Sequence, residues 1–148
     1  MIEIKEIQFD ECLVLWKKLW ASRVSPIEPT SAMIFNEKDF SLRAYSSNIK
    51  KPVFLGAFVG GNLVGVNSFH EIDDTTRSRG LYVDPNFRGN KIGELLLRET
   101  ILLSPSSCWS FPKKEALSTY LRAGFKQASE IMYDSVEEKY NCYVIALK

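Results

Sequence analysis

The chain begins with a short alternation of apolar and charged residues. Ile2 and Ile4 alternate with Glu3 and Lys5, and this period of two predicts a first strand with one solvated face. Asp10 can then cap a helix, because its carboxylate accepts hydrogen bonds from free helical amides. That helix has an apolar stripe formed by Cys12, Leu13, Trp16, Leu19 and Trp20. We expect the stripe, with both tryptophans, to lie in the core rather than to bind a ligand.

The regular pattern stops between residues 21 and 37. Pro26, Pro29 and several serines and threonines predict a long loop there, and long ordered loops in compact domains are often functional. Residues 39–46 are predicted to form a short second helix.

Residues 53–59 and 63–72 are predicted to form two strands joined by a hairpin turn. The turn is Gly60-Gly61-Asn62, because these residues tolerate the positive φ that a tight hairpin requires. Alternation along the second strand predicts a shared face for Val64, Val66, Ser68, His70 and Ile72. Residues 73–76 are the next predicted turn, since aspartate and threonine are common in turns.

Between residues 78 and 103, a strand leads into a glycine-containing loop and then into a helix. The alternation ends near Val83, and Asp84-Pro85-Asn86 stops the ladder with turn residues. Apolar residues return at helical spacing at Ile92, Leu95, Leu96 and Leu103. A loop with few bulky side chains beside free helical amides can hold a phosphate group, and Arg88 adds a positive charge. On spacing alone, an empty strand-to-helix turn is the commoner structure.

The last third of the chain is predicted to form a strand, a helix and two strands. Residues 108–111 are long enough for one short strand, and Pro112 suits the start of a helix. Gly124 suits the left-handed position that ends this helix. Residues 125–133 and 141–147 are the last two predicted strands.

Composition restricts the class of protein. The 148 residues are about one domain long, and 45% hydrophobic with 25% charged residues is ordinary for a globular protein. The net charge of +1 gives no global electrostatic reason to bind nucleic acid or an anionic membrane. Cys12, Cys108 and Cys142 lack metal-ligand spacing, which predicts buried free thiols in a reducing compartment and no metal site. The sequence shows no targeting peptide and no membrane span, so we expect a cytoplasmic protein.

Two motifs follow one another in the second half of the chain. The first is Leu81-Tyr82-Val83-Asp84-Pro85-Asn86-Phe87-Arg88-Gly89-Asn90-Lys91-Ile92-Gly93, and the second is Tyr120-Leu121-Arg122-Ala123-Gly124-Phe125. They resemble the acyl-CoA-binding motif Gln/Arg-x-x-Gly-x-Gly/Ala and the later Tyr-x-x-x-Gly-Phe signature of the GNAT superfamily of N-acyltransferases. Lys91 stands where that motif has its middle glycine. This substitution changes one close approach of backbone to phosphate, although a lysine can supply charge instead.

The resemblance implies a GNAT fold over nearly the whole chain. The fold class would be α/β, with a mixed, mostly antiparallel twisted sheet of about seven strands flanked by about four helices, in a single domain over residues 1–148. The implied activity is that of an N-acetyltransferase, which moves an acetyl group from acetyl-CoA, its cosubstrate, to a primary amine of a small molecule or peptide. Neither nucleic acid nor a membrane is an expected partner. The oligomeric state, including a homodimer, stays open.

The resemblance also implies roles for individual residues. The strand end formed by Leu81, Tyr82 and Val83 would bind the thioester carbonyl and pantetheine through backbone groups. The pyrophosphate would be held by Arg88, Gly89, Asn90, Lys91, Ile92 and Gly93. Tyr120 would protonate the departing thiolate, and a tyrosine packed in the core is the alternative.

Several residues are candidates for the general base. Several family members have a glutamate where this chain has Arg77, and Lys113 replaces a frequent asparagine. His70 and Glu71 are the catalytic candidates near the pocket, together with Asp73, and a water chain is another route. His70 has a pKa suited to base catalysis, but a lone strand histidine is more often structural and a strand carboxylate is usually solvated.

Two further hypotheses remain at this stage. The substitutions at Arg77, Lys91 and Lys113 are compatible with a catalytically inactive GNAT-fold module that binds CoA or a protein partner, and a different α/β nucleotide binder is a third hypothesis. Arg77 and Arg79 are predicted to share a strand face with Leu81. If that face meets the acceptor pocket, it favours an acceptor with a carboxylate or phosphate; a solvated basic rim is the alternative.

Overall fold

The computed structural model describes residues 1–20, 35–36, 41–42, 50–135 and 138–148. The helices in these ranges are α1 (Phe9–Trp20), α2 (Ile92–Leu103) and α3 (Leu117–Ala123). The strands are β1 (Ile2–Ile7), β2 (Phe35–Asn36), β3 (Ser41–Leu42), β4 (Lys50–Val59), β5 (Asn62–Ile72), β6 (Thr75–Val83), β7 (Cys108–Ser110), β8 (Lys126–Gln127), β9 (Met132–Asp134), β10 (Lys139–Asn141) and β11 (Val144–Ala146). None of the helices in the described part of the chain has the length and apolar character that a membrane crossing requires.

Seven strands form one sheet in the order β1, β4, β5, β6, β7, β11, β8. Its neighbours are antiparallel except for the parallel pair β6 and β7. β9 pairs with β10, and β2 pairs with β3, in two separate ladders. α1 packs on one face of the large sheet, and α2 and α3 pack on the other. The predicted mixed α/β class with a mostly antiparallel seven-stranded sheet is confirmed.

The predicted second helix at residues 39–46 is wrong at Ser41–Leu42. These residues form β3 opposite β2, and serine is a weak helix former because its side chain competes for backbone hydrogen bonds. The other residues of that prediction lie outside the described part of the chain. So does most of the predicted loop at residues 21–37.

The two long strands predicted at residues 125–133 and 141–147 are each interrupted. Ser129 lies in the first gap, where its hydroxyl accepts the Tyr143 N–H at 2.9 Å. A side chain takes the place of a ladder partner there, so the first range divides into β8 and β9. The second range overlaps the end of β10 and contains β11, because the chain turns from the small ladder back to the large sheet.

Both predicted hairpin turns are present, and each is shorter than predicted. Gly60 and Gly61 have φ of 56° and 81° and form the first turn, whereas Asn62 already belongs to β5, where it pairs with Val59. Asp73 and Asp74, with φ of 47° and 63°, form the second turn alone. The two threonines that follow already belong to β6, because they pair with the end of β5.

The two faces of β5 carry different cores, and a bulge near its start changes which residues face each core. Val66 packs with Trp16 of α1, whereas Val64 packs in the core under α2. The register with β4 shifts beside these residues, and an irregularity of this kind breaks the alternation of side chains. Ser68 and His70 follow Val66 on the α1 face. The predicted shared face is therefore wrong at Val64.

Candidate active site

A bulge at Gly80 interrupts the ladder between β5 and β6. At this point the register advances by two residues on β5 and by three on β6, and Gly80 has φ of +84°. The extra residue changes the alternation of side chains, so Leu81 packs toward α2 and α3 while Arg79 lies opposite Ser68 on the α1 face. The predicted common face of Arg77, Arg79 and Leu81 is therefore wrong at Leu81.

Side chains on the α1 face fix this bulge. The indole Nε1 of Trp16 donates to the Gly80 carbonyl at 2.7 Å, and the Ser68 hydroxyl donates to the Arg79 carbonyl at 2.7 Å. A Cβ added at Gly80 would lie 2.8 Å from the Trp16 ring, which leaves room for glycine alone. Close packing and two hydrogen bonds therefore hold the bulge in one conformation.

Beyond the bulge, alternate backbone groups of β6 face away from β5. The Asp84 N–H donates to the Val64 carbonyl at 2.8 Å, so the neighbouring Val83 directs its backbone groups to the opposite edge. There the Val83 carbonyl accepts a hydrogen bond from Arg88 Nε at 2.9 Å. This edge of β6 is the one nearest β7.

β7 leaves most of this edge uncovered. Within the described residues the two strands pair at two positions, of which Arg77–Trp109 is the last. One residue further on, the Ser110 hydroxyl donates to the Ser78 carbonyl at 2.8 Å. From Ser78 to Val83 the strand then runs for about 17 Å, at ~3.3 Å per residue, and none of the described strands pairs with it on this side. We call this opening the cleft.

The loop of residues 88–91 lies between the open end of β6 and α2. Gly89 and Lys91 have φ of 86° and 63°, and a Cβ added at Gly89 would have no atom within 4 Å. Lys91 precedes α2 without a side-chain hydrogen bond to its end, and the first amides of a helix lack intrahelical acceptors. The loop therefore presents open backbone donors, and this geometry fits the phosphate groups that the resemblance implies.

Positive charge predominates around the start of α2. Glu94 lies in the first turn of the helix and would repel an anion, but Arg98 Nε and Arg122 Nε hold its carboxylate at 3.2 and 3.3 Å. The Arg88 guanidinium lies 5.3 Å from the centre of the Tyr82 ring. Since this acid is paired, Arg88 and Lys91 give the loop an attraction for anions.

Tyr120 lies at the closed end of the cleft. Its side chain is buried, its ring centre is 5.4 Å from that of Phe125, and its hydroxyl hydrogen-bonds the Ser110 side chain. Ser110 donates its own hydrogen to the Ser78 carbonyl, so Tyr120 is the donor in this contact. Burial raises the pKa of Tyr120 to about 12. The phenol therefore keeps its proton at neutral pH.

The two candidate bases lie on opposite faces of β5. His70 is buried opposite Arg77, and burial together with the charges of Arg77 and Arg79 lowers the pKa of its imidazole to about 4. Glu71 lines a cavity of about 330 Å³ at the C-terminal end of α2, roughly a helix length of ~18 Å from the loop. The structure thus places Glu71 away from the loop and His70 across the sheet from Tyr120.

The elements that form this site also match a known family in sequence. A family model for the acetyltransferase (GNAT) domain matches residues 50–127, which is more than half of the chain. The chain belongs to the GNAT acetyltransferase family. The matched range contains the bulge, the cleft, the loop and Tyr120. No curated protein matches the chain significantly in sequence.

Solved structures share this GNAT fold over nearly the whole chain. An acyl-CoA N-acyltransferase from Pseudomonas aeruginosa is 10% identical, with a TM-score of 0.66 and 99% of both chains covered. The PaiA N-acetyltransferase from Thermoplasma acidophilum, in complex with coenzyme A, is 21% identical, with a TM-score of 0.61 over 100% of this chain and 99% of that one. The ribosomal-protein-S18-alanine N-acetyltransferase from Escherichia coli is 15% identical, with a TM-score of 0.64 over 99% of this chain and 94% of that one. At these identities the likeness shows the fold.

Three residues that shape the GNAT cleft were not identified from the sequence. Gly80 had a signal, because a glycine inside a strand often marks a bulge. Trp16 and Ser110 had none, since their hydrogen bonds to β6 join residues 64 and 32 positions apart. The sequence pattern places Trp16 in the core but does not show what its indole N–H bonds.

Proposed function

We propose that this GNAT domain transfers an acetyl group from acetyl-CoA to a primary amine of a small molecule or peptide. The cleft carries the proposal, because β6 and β7 separate directly after Arg77–Trp109 and the opening leads toward the uncapped start of α2. Acetyl-CoA supplies the acetyl group as a thioester. The neighbour from Thermoplasma acidophilum, solved in complex with coenzyme A, supports this choice of cosubstrate.

In this proposal the loop binds the pyrophosphate and the cleft binds the pantetheine arm. The free amides of Ile92 and Gly93 and the guanidinium of Arg88 donate to phosphate oxygens. The Val83 backbone, directed away from β5, bonds the pantetheine amides. The backbone of Leu81, placed by the bulge, donates to the carbonyl oxygen of the acetyl group, where negative charge develops.

Tyr120 provides the proton that the leaving sulfur requires. Its hydroxyl lies where the cleft begins, and a pKa of about 12 keeps it protonated at neutral pH. It is therefore suited to be a general acid and not a base. Ser110 accepts from this hydroxyl and is itself held by the Ser78 carbonyl.

We propose water as the route by which the acceptor amine loses its proton. A pKa of about 4 makes the His70 imidazole a weak base at neutral pH. Glu71 lies at the end of α2 that is remote from the loop.

The cysteines bear on where the protein is located. The three cysteines are buried and free, which supports a reducing compartment, and we propose the cytoplasm. A single domain over residues 1–148 and a homodimer stay predictions.

Release of free thiol from acetyl-CoA, measured with a broad panel of amines, tests the proposal. Tyr120→Phe should lower kcat by roughly 10²-fold or more and leave KM for acetyl-CoA nearly unchanged, since no phosphate contact is lost. Ser104→Ala is the matched control, because it removes another buried hydroxyl, at the far end of α2, and should keep kcat. If acetyl-CoA binds but no amine in the panel is acetylated, the inactive module is favoured. A wild-type kcat in Tyr120→Phe would reject the role of Tyr120 as the general acid.

A further inference from the structure

A cavity of about 380 Å³ lies beside β7 and β11, lined by Trp109, Ala128, Tyr143, Val144 and Ile145. Trp109 pairs with Arg77, which lies opposite His70 on the α1 face of the sheet. The Trp109 side chain therefore faces the α1 side, across the sheet from Tyr120. No residue that we assign to the cosubstrate lines this cavity.

The wall of the cavity is aromatic. The ring centres of Trp109 and Tyr143 are 6.0 Å apart, and those of Phe111 and Tyr143 are 4.4 Å apart. Tyr143 is 42% exposed, so the wall is accessible from solvent. Clustered aromatic side chains offer a large apolar surface on which a flat apolar group can pack.

Arg77 places an unpaired positive charge against this wall. Its guanidinium carbon lies 4.6 Å from the centre of the Trp109 ring, and among the described residues it has no ion pair. Its Nε is buried and has no hydrogen-bond partner, which is costly for a charged donor. A guanidinium stacked on an aromatic ring still presents a planar edge that matches a carboxylate. Within the described part of the chain, this guanidinium therefore has no acceptor of opposite charge.

The position of the cavity connects it to the reaction. Arg77–Trp109 is the last residue pair before β6 and β7 separate, so the cavity adjoins the closed end of the cleft. The strand rises about 13 Å from Arg77 to Leu81. A ligand whose carboxylate binds Arg77 thus reaches the acetyl group only if its amine is several bonds away from that carboxylate.

On the basis of the proposed function, we propose that this cavity binds the acceptor, and that the acceptor is a short peptide-like amine with an aromatic ring and a carboxylate at its far end. The ring packs on Trp109 and Tyr143, the carboxylate accepts from Arg77, and the amine extends into the cleft. Arg77 is then a specificity-determining residue.

A matched set of acceptors tests the proposal. Glycyl-glycyl-glycyl-phenylalanine, which spans roughly 13 Å when extended, should be acetylated with a kcat/KM at least tenfold above that of its C-terminal amide, which lacks the carboxylate, and above that of glycyl-glycyl-glycyl-alanine, which lacks the ring. Arg77→Gln should abolish the preference for the free carboxylate. Lys5→Gln is the control, because Lys5 is an exposed cation on β1, away from the cleft, and it should retain the preference.

Binding measured without turnover separates this proposal from the proposed function. Calorimetric titration with glycyl-glycyl-glycyl-phenylalanine should show binding to the wild type and to Lys5→Gln, and at least tenfold weaker binding to Arg77→Gln. Such binding without acetylation of any amine would reject the proposed function and keep the ligand class. If other amines are acetylated and glycyl-glycyl-glycyl-phenylalanine is not preferred, or if the preference is unchanged in Arg77→Gln, the inference is overturned and the proposed function stands. Arg77→Lys, which keeps the charge but not the planar edge, should lose most of the preference and provides a second variant if Arg77→Gln fails to fold.

Discussion

Gly80 and Lys91 both have left-handed backbone conformations, with φ of 84° and 63°, but their surroundings differ. The bulge at Gly80 is closed, because the Trp16 ring fills the space where a side chain would lie. The loop at residues 88–91 is open, since a Cβ at Gly89 would meet nothing within 4 Å and Lys91 makes no capping hydrogen bond. The cleft is therefore shaped by packing at one end and by backbone conformation at the other.

This difference determines which residues the bulge and the loop each tolerate. At the bulge, both conformation and space exclude a side chain. In the loop, conformation alone disfavours one, at roughly 1–2 kcal/mol for a non-glycine residue. Lys91 is compatible with an open loop, and its ammonium group adds a charge that a glycine would lack.

Gly80→Ala should give the largest change. The added methyl group would overlap the Trp16 ring at 2.8 Å and take an unfavourable φ, so we expect a loss of about 2–4 kcal/mol in the free energy of unfolding. Gly89→Ala, with a similar φ of 86° but free space, should lose only about 1 kcal/mol. Urea unfolding of the two variants measures the difference, and equal losses would contradict the distinction between a closed and an open end.

The buried His70, on the α1 face of β5, should make the stability of the protein depend on pH. Its pKa is about 4 in the folded protein and about 6.5 in the unfolded chain, so between these values the unfolded state binds more protons. Stability should therefore fall as the pH is lowered from 7 to 4.5, by about 2–3 kcal/mol from this group. The control is His70→Gln, measured by urea unfolding at both pH values. A pH dependence equal to that of the wild type would show that His70 is not the titrating group.

Trp16→Phe should have a moderate effect. It keeps an aromatic ring against Gly80 but removes the 2.7 Å hydrogen bond to its carbonyl, so we expect a loss of about 2 kcal/mol in stability. Because the bulge positions Leu81, KM for acetyl-CoA should also rise. Trp109→Phe loses an indole hydrogen bond to a half-buried threonine hydroxyl and should cost less stability. Equal stability losses, or an unchanged KM in Trp16→Phe, would argue against a role for Trp16 in fixing the bulge.

Lys91→Gly should have the smallest effect on stability, and unlike the other variants it should stabilise the protein. Relief of the left-handed conformation should raise the free energy of unfolding by about 1 kcal/mol. Loss of the ammonium group should weaken acetyl-CoA binding severalfold if it contacts the pyrophosphate. Thermal unfolding and calorimetric titration measure both quantities on the same variant. Tighter binding by the glycine variant would show that the lysine side chain obstructs the loop.

Local sequence patterns predicted much of the fold and part of the site. The glycine turn between β4 and β5, the loop before α2 and the glycine that ends α3 all follow from residues within a few positions of one another. Leu81 and Val64 were assigned to the wrong faces, because each lies beside a bulge and a one-residue insertion moves every later side chain to the other face. The hydrogen bonds of Trp16 and Ser110 to β6 join distant residues, and their geometry follows only from the folded sheet.

The central claim is that the cleft and the loop bind acetyl-CoA, and thermal unfolding with and without this compound tests it most directly. At about 100 times its dissociation constant, a ligand stabilises the folded state by ~2.7 kcal/mol, which for a domain of this size is a rise of roughly 5–10 °C in Tm. We predict a rise of this size with acetyl-CoA and little change with ATP or NAD at the same concentration. No change with acetyl-CoA, or an equal rise with ATP, would contradict the account.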